Sequence, residues 1–222
     1  MLKTHMLANS TEGRPIHAYE LENESPAMLI VGGMHGDEPQ SAFVADRIVE
    51  LLQTRIGDMM NEHIIVVPRL NPEGLERGSR KNSRDVDINR NFPTANWSQN
   101  EPGDAYYGGS SAGSEPETQL ILELIRQHGP RRILTIHCID DERQCVNFDG
   151  PAEELARAMA KENGYEVRSD IGHATPGSLG TWAGYERQIP TVTLELPANE
   201  TDEKCWQDNR DAVMSFIQAA IE

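Results

Sequence analysis

"AMLIVGGMHGDEP", Ala27 to Pro39, joins five apolar residues to a glycine pair, then to a histidine and a glutamate three positions apart. A short apolar run bounded by glycine reads as a strand buried on both faces. Pro39 suits the first turn of a helix, where a missing N–H goes unused, and residues 39–53 carry helical periodicity. A strand, a tight turn and a helix make up the repeating unit of α/β proteins. Here that unit puts His35 and Glu38 at the strand's C-terminal end, where ligands bind in open α/β sheets.

Working outward, further apolar, β-rich runs lie at residues 64–69, 132–136 and 190–196, and helical patterns at 115–128, 153–163 and 208–221. This alternation predicts an α/β/α sandwich around a mixed, largely parallel twisted sheet. Ser114 and Glu117 have capping-box spacing ahead of the second helical pattern. The 222 residues suffice for one core, and no Pro/Ser-rich or charge-rich stretch divides them, so 1–222 reads as a single domain. Residues 71–113 form an aperiodic segment rich in Gly, Asn, Arg and Ser, far longer than an ordinary connection, which reads as a site-building loop.

The chain has 20 Lys plus Arg against 36 Asp plus Glu, a formal charge of −16, which repels nucleic acid and anionic membrane surfaces. No apolar run has signal-peptide or membrane-spanning length, and the expected location is the cytoplasm. Cys138, Cys145 and Cys205 lack CxxC spacing, so free thiols are expected.

His35 and Glu38 supply two of the roughly three protein ligands that a catalytic zinc needs, and His137, ending the run "RRILTIHC", supplies a third from a second strand. Taken alone, a histidine and a glutamate at this spacing fit a polar turn at least as well as a metal. Glu195 in "TVTLELP" is the candidate general base, with an exposed strand-end glutamate as the bland alternative. His5, His17, His63 and His128 fall in the tail or near element ends, where solvation or packing accounts for them. "RGSRKNSRDVDINRNFP" concentrates Arg77, Arg80, Lys81, Arg84 and Arg90 in an acidic chain, which suits recognition of an anionic substrate. A nitrogen, nitrogen and oxygen donor set suits zinc best among first-row ions.

In order along the chain, "HGDE", "NPEG", "SRKNSRDVDINRNFP", "SEPET", "TIHC", "PGSLGTWAG" and "TLELP" resemble the motifs of the zinc carboxypeptidase family from about Gly32 to Pro197. The resemblance implies one Zn2+ held by His35, Glu38 and His137, with Glu195 as the base. It also implies that Arg80 polarises the scissile carbonyl and holds the oxyanion, and that Asn89 and Arg90 grip a substrate carboxylate. Within the family, "NRNFP", "GSLGTW" and "TLELP" look most like the cytosolic bacterial murein peptide amidases. That implies hydrolysis of the γ-D-glutamyl-meso-diaminopimelate bond in L-Ala-γ-D-Glu-meso-diaminopimelate during cell-wall recycling, and leaves a homodimer as the expectation for assembly. The substrate's ammonium would need an acid, for which Asp140, Asp141 and Glu142 are candidates alongside a solvated acidic turn.

Two positions depart from the digestive members of the family. Gly172 and His173 stand where those enzymes carry a mobile tyrosine, leaving His173 as either a substitute substrate contact or a loop histidine. Leu179, Gly180 and Thr181 specify neither a basic nor an aromatic side-chain pocket. The rival functions are an N-acyl amino acid deacylase of the aspartoacylase or succinylglutamate desuccinylase type, and a non-catalytic peptide-binding module.

Overall fold

The computed structural model describes residues 2–54, 61–140, 143–172 and 174–219. Eight strands form one mixed sheet: β1 (Leu2–Asn9), β2 (Pro15–Leu21), β3 (Ala27–Val31), β4 (His63–Val67), β5 (Arg132–Ile139), β6 (Cys145–Asp149), β7 (Glu166–Arg168) and β8 (Thr191–Pro197). Their spatial order is β1-β2-β4-β3-β5-β8-β6-β7. The central run β4-β3-β5-β8 is parallel, whereas β2 joins β4 and β6 joins β8 antiparallel. All five residues of β3 are buried, as expected for a strand covered on both faces.

Helices α1 (Pro39–Thr54), α4 (Glu153–Asn163) and α5 (Asp202–Gln218) pack on one face, and α3 (Pro116–His128) on the other. A short helix α2 (Pro72–Arg77), a 3-10 turn (Ile88–Arg90) and a π-helical turn (Gly180–Tyr185) sit in the connections. Leu134, Val192 and Leu194 meet the α1 and α5 side, while Leu29 and Val31 meet Leu120 and Ile121 of α3. The chain runs from β3 to β4 on one side and reaches β5 on the other. This reversal opens a crevice at the strands' C-terminal ends.

The expected α/β/α layers are present, with several differences of detail. In the β1–β2 hairpin, β1 is half-buried at most and bulged between Met6 and Ala8, β2 mixes buried with exposed residues, and β6 and β7 are short. Helix α5 begins at Asp202, where the Thr201 side chain accepts from Lys204 N. Ser114 does not cap α3: Glu115 is the N-cap residue and Pro116 starts the helix, so the Ser114–Glu117 box is not formed. Glu117 instead accepts from Thr11 N at 3.1 Å and from Asn82 Nδ2 at 3.2 Å.

Residues 71–113 are organised by buried amides rather than by an apolar core. Asn91 Nδ2 donates to Gly108 O at 2.7 Å and Ser111 O at 3.0 Å, while its Oδ1 accepts from Glu115 N. Asn82 Oδ1 accepts from Arg84 N and Val86 N. Asn71 caps α2, and the loop after β3 then crosses that helix so closely that a Cβ on Gly36 would overlap the Gly74 carbonyl. Gly36→Ala is expected to cost at least ~3 kcal/mol in urea unfolding, because backbone rather than a flexible side chain must move. An unchanged unfolding midpoint would contradict this packing.

Candidate metal centre

His35 lies in the turn after β3, Glu38 immediately before α1, and His137 within β5. All three are buried, at 1%, 6% and 4% exposure, so their ring nitrogens and carboxylate oxygens face one another rather than water. His35 Nδ1 is 2.8 Å from Glu38 Oε1, His137 Nδ1 is 3.0 Å from Glu38 Oε2, and the two Nδ1 atoms are 3.2 Å apart. Nitrogen ligands ~2.0–2.1 Å from a tetrahedral zinc lie about 3.3 Å from each other. The trio therefore fits a zinc ion with an open fourth position.

Asp87, on the N-terminal side of the 3-10 turn, accepts from His35 Nε2–H at 2.9 Å and leaves the Nδ1 lone pair for a metal. Cys138 N donates to Glu38 Oε2 at 3.1 Å and fixes that carboxylate. Burial lowers the His35 pKa, but Glu38 and Asp87 outweigh it and push it up to about 9. Burial raises the Glu38 and Asp87 carboxyls, yet His35 and His137 hold Glu38, and His35 with Arg80 holds Asp87, well below the usual carboxylate range. The pocket is therefore built to hold positive charge.

Glu195 faces the same crevice from β8, in parallel register with His137, at 6% exposure. Its pKa is raised first by burial and then by Glu38, against the lowering pull of His137. A raised carboxylate beside a metal pocket suits a general base.

Of the basic cluster in residues 77–90, only two members reach the crevice. Arg80 donates from Nε to Asp87 Oδ2 at 2.9 Å and from Nη1 to Glu38 Oε1 at 3.3 Å. Arg90, at 4% exposure, donates to Asn89 O at 2.8 Å, and burial lowers its pKa. The Tyr106 ring lies over both guanidiniums, 5.6 Å and 5.0 Å from their carbons. Arg77, Lys81 and Arg84 instead pair with Glu12, Asp85 and Glu115, away from the metal pocket. Asn89 is drawn into the site by Leu179 N, which donates to its Oδ1 at 3.0 Å.

Two cavities meet at Asn89 and Glu195. The smaller, about 210 Å³, contains the His35, Glu38 and His137 groups with Arg80 and Arg90. The larger, about 410 Å³, runs toward β6 and ends on Asn147 and Asp149. Burial pushes Asp149 up to about 6, and its hydrogen bond among the described residues is a long one, 3.4 Å from Asn147 Nδ2. Asn147 Oδ1 is buried without a partner among the described residues. Gly180 makes room for this acid, since a Cβ there would overlap the Asp149 carboxylate. The acid at the end of the larger cavity is Asp149, while Asp140 lines the smaller cavity, exposed and paired with Arg143. Asp141, Glu142 and His173 lie outside the described residues.

Sequence reasoning did not single out Asp87, Tyr106 or Asp149. Asp87 had a signal in the quartet "DINR", whereas Asp149 looks like an ordinary strand end. Cys138 carries no activated thiol, because burial moves its pKa far above the usual range. Asp87→Asn is expected to weaken zinc binding about 10- to 100-fold, as loss of a histidine-orienting carboxylate does elsewhere. Competition against a chromophoric chelator measures this, and unchanged affinity would remove Asp87 from the centre.

With this geometry in place, comparison with known proteins gives one consistent result. Residues 1–209 match the family described as zinc carboxypeptidase. The chain is 32% identical over 192 residues to murein peptide amidase A of Escherichia coli K12, covering 79% of this chain and 73% of that protein. It is 30% identical over 224 residues to the murein peptide amidase A of Vibrio campbellii, covering 94% and 85%. The crystal structure of the murein-tripeptide amidase from Escherichia coli O157 superposes with a TM-score of 0.83 at 26% identity, covering 99% of this chain and 93% of that one. Bovine thrombin-activatable fibrinolysis inhibitor shares the fold, with a TM-score of 0.81 at 18% identity over 98% of this chain and 88% of that one. A buried two-histidine, one-carboxylate centre on this fold, with these relatives, makes the chain a hydrolytic metalloenzyme that belongs to the zinc carboxypeptidase family.

Proposed function

We propose that this enzyme hydrolyses the γ-D-glutamyl-meso-diaminopimelate bond of murein peptides, with His35, Glu38 and His137 holding one zinc ion. The observation that carries the reading is the joined pair of cavities, with arginines beside the metal pocket and, at the far end, a buried acid that has only the long Asn147 hydrogen bond among the described residues. The residue released from such a peptide is long, with a carboxylate next to the scissile amide and both an ammonium and a second carboxylate at its other end. The murein peptide amidases among the relatives support the same substrate class.

When bound, zinc supplies Lewis-acid polarisation and makes water acidic enough to attack near neutral pH. Glu195 takes the proton of the attacking water and returns it to the leaving nitrogen, a transfer for which its raised pKa suits it. Arg80, whose guanidinium touches Glu38, donates to the oxygen that becomes negative during attack. Asn89 and Arg90 hold the carboxylate of the departing residue. Asp149 and Asn147 Oδ1, which has no partner among the described residues, accept from its distal ammonium.

Zinc-loaded protein is expected to release free diaminopimelate from L-Ala-γ-D-Glu-meso-diaminopimelate, followed by mass spectrometry, and to lose that activity to a chelator. Release from N-acyl amino acids and none from the tripeptide would overturn the assignment. Glu195→Gln is expected to lower kcat about 10²- to 10⁴-fold while zinc stoichiometry stays unchanged, and full activity in that variant would exclude Glu195 as the base.

Asp149→Asn is expected to raise KM for the tripeptide about 10- to 100-fold with a smaller change in kcat, matching loss of a charge-assisted hydrogen bond of ~1.5–3 kcal/mol. Asp149 is ionised above about pH 6, so tripeptide binding weakens as pH falls through that value. The Asn variant lacks this dependence, and an identical pH profile of KM in both proteins would separate Asp149 from substrate binding.

A further inference from the structure

At the other end of the sheet, three histidines discounted in the sequence converge on a single carboxylate. Glu20 of β2 has one oxygen 2.8 Å from His63 Nε2 and 4.0 Å from His128 Nδ1, and its other oxygen is 2.9 Å from His5 Nε2. Ligand atoms of Glu20, His63 and His128 all lie within 4.8 Å of one another. The His63 and His128 rings stand edge to face at 5.7 Å.

The convergence follows from strand alternation. Ile16 and Ala18 of β2 point to the α3 face, so Glu20, two residues on, points there too. By the same count His63 shares the face of Ile65, and His5, directly opposite Ala18 in the β1–β2 pairing, shares the face of Ala18. His128 is the last residue of α3 and reaches the group from above the sheet. The four side chains thus come from β1, β2, β4 and α3. His63 pairs with Ala27 at the start of the parallel strands, whereas His35 follows their ends, so about 15 Å or more of strand separates the two clusters.

We propose that Glu20, His63 and His128, with His5 as a fourth donor, form a second binding site for a divalent first-row transition metal. Imidazole with carboxylate is the donor chemistry such ions select, and His128 closes the set by a small shift at a helix end. The position favours a cation on two further counts. The C-terminus of α3 carries partial negative charge, and the chain as a whole is strongly acidic. The nearby Lys3 is engaged by Glu22 and is not needed to neutralise Glu20. Partial exposure of all four side chains, from 13% for Glu20 and His63 to 41% for His5, leaves an entry path. A bound ion would clip the edge hairpin and β4 to α3, which makes the site structural rather than catalytic.

Zn2+ alone is the probe. Isothermal titration of the apo protein is expected to show one more equivalent per chain than His128→Asn, and zinc above one equivalent to raise Tm in wild type but not in that variant. The difference of one equivalent is the readout whatever happens at the His35 centre, and His137→Ala should leave it in place. Tripeptide hydrolysis by zinc-loaded His128→Asn is expected to match wild type, which also shows that the variant folds. Glu20→Gln repeats the comparison should the histidine variant fail to fold. Equal stoichiometry in wild type and both variants would overturn the proposal and leave the cluster as a carboxylate solvated by imidazoles.

Discussion

The clamp on His35 between Asp87 and Glu38 is the constraint on which the rest of the site depends. Each of these groups is almost wholly buried, and an ionised carboxylate in that setting is tolerated only when every lone pair finds a donor or a cation. Asp87 meets the condition through His35 Nε2, Arg80 Nε and the backbone N–H of Asn89. Glu38 meets it through both histidines, Arg80 and Cys138 N. Such a network is cooperative: taking out one member strands the others in a low-dielectric pocket. A divalent ion completes it by replacing proton charge with metal charge.

This requirement explains the shape of the long connection between α2 and α3. To bring Asp87 beneath His35, the chain must cross the crevice without exposing unsatisfied backbone, and it does so on the buried amides of Asn82 and Asn91. The same crossing carries Asn89 and Arg90 to the cavity junction and leaves Arg77, Lys81 and Arg84 on its outer side, paired with acids. A basic cluster in an acidic protein therefore divides, two members lining the cavity and three making ion pairs with nearby acids. The π-helical turn at Gly180–Tyr185 does the corresponding work at the far end, where two glycines admit the Asp149 side chain.

Much of the central sheet is readable in the sequence, because β3 and β4 leave continuous apolar runs and β5 and β8 leave β-rich runs broken only by single polar residues. His35, Glu38, His137 and Glu195 were readable for a related reason: polar residues at the ends of such runs have few structural duties. The edge hairpin escaped notice because "LKTHMLAN" serves a half-exposed strand, and β6 because its polar positions serve a cavity. The role of Asp87 rests on a contact made 52 residues from His35. The meeting of His63, His128 and Glu20 depends on how a helix end lands on a sheet. Neither leaves a local pattern. The capping-box reading at Ser114 failed because Pro116, at the first helical position, moves the boundary one residue along.

The most direct test of the account is an anomalous-difference map at the zinc edge from crystals of the zinc-loaded enzyme. A peak is expected bonded to Nδ1 of His35, Nδ1 of His137 and the Glu38 carboxylate at ~2.0–2.2 Å, with Asp87 still on the opposite nitrogen of His35. A zinc ion bound through His35 Nε2, or a centre that leaves out Glu38, would contradict it.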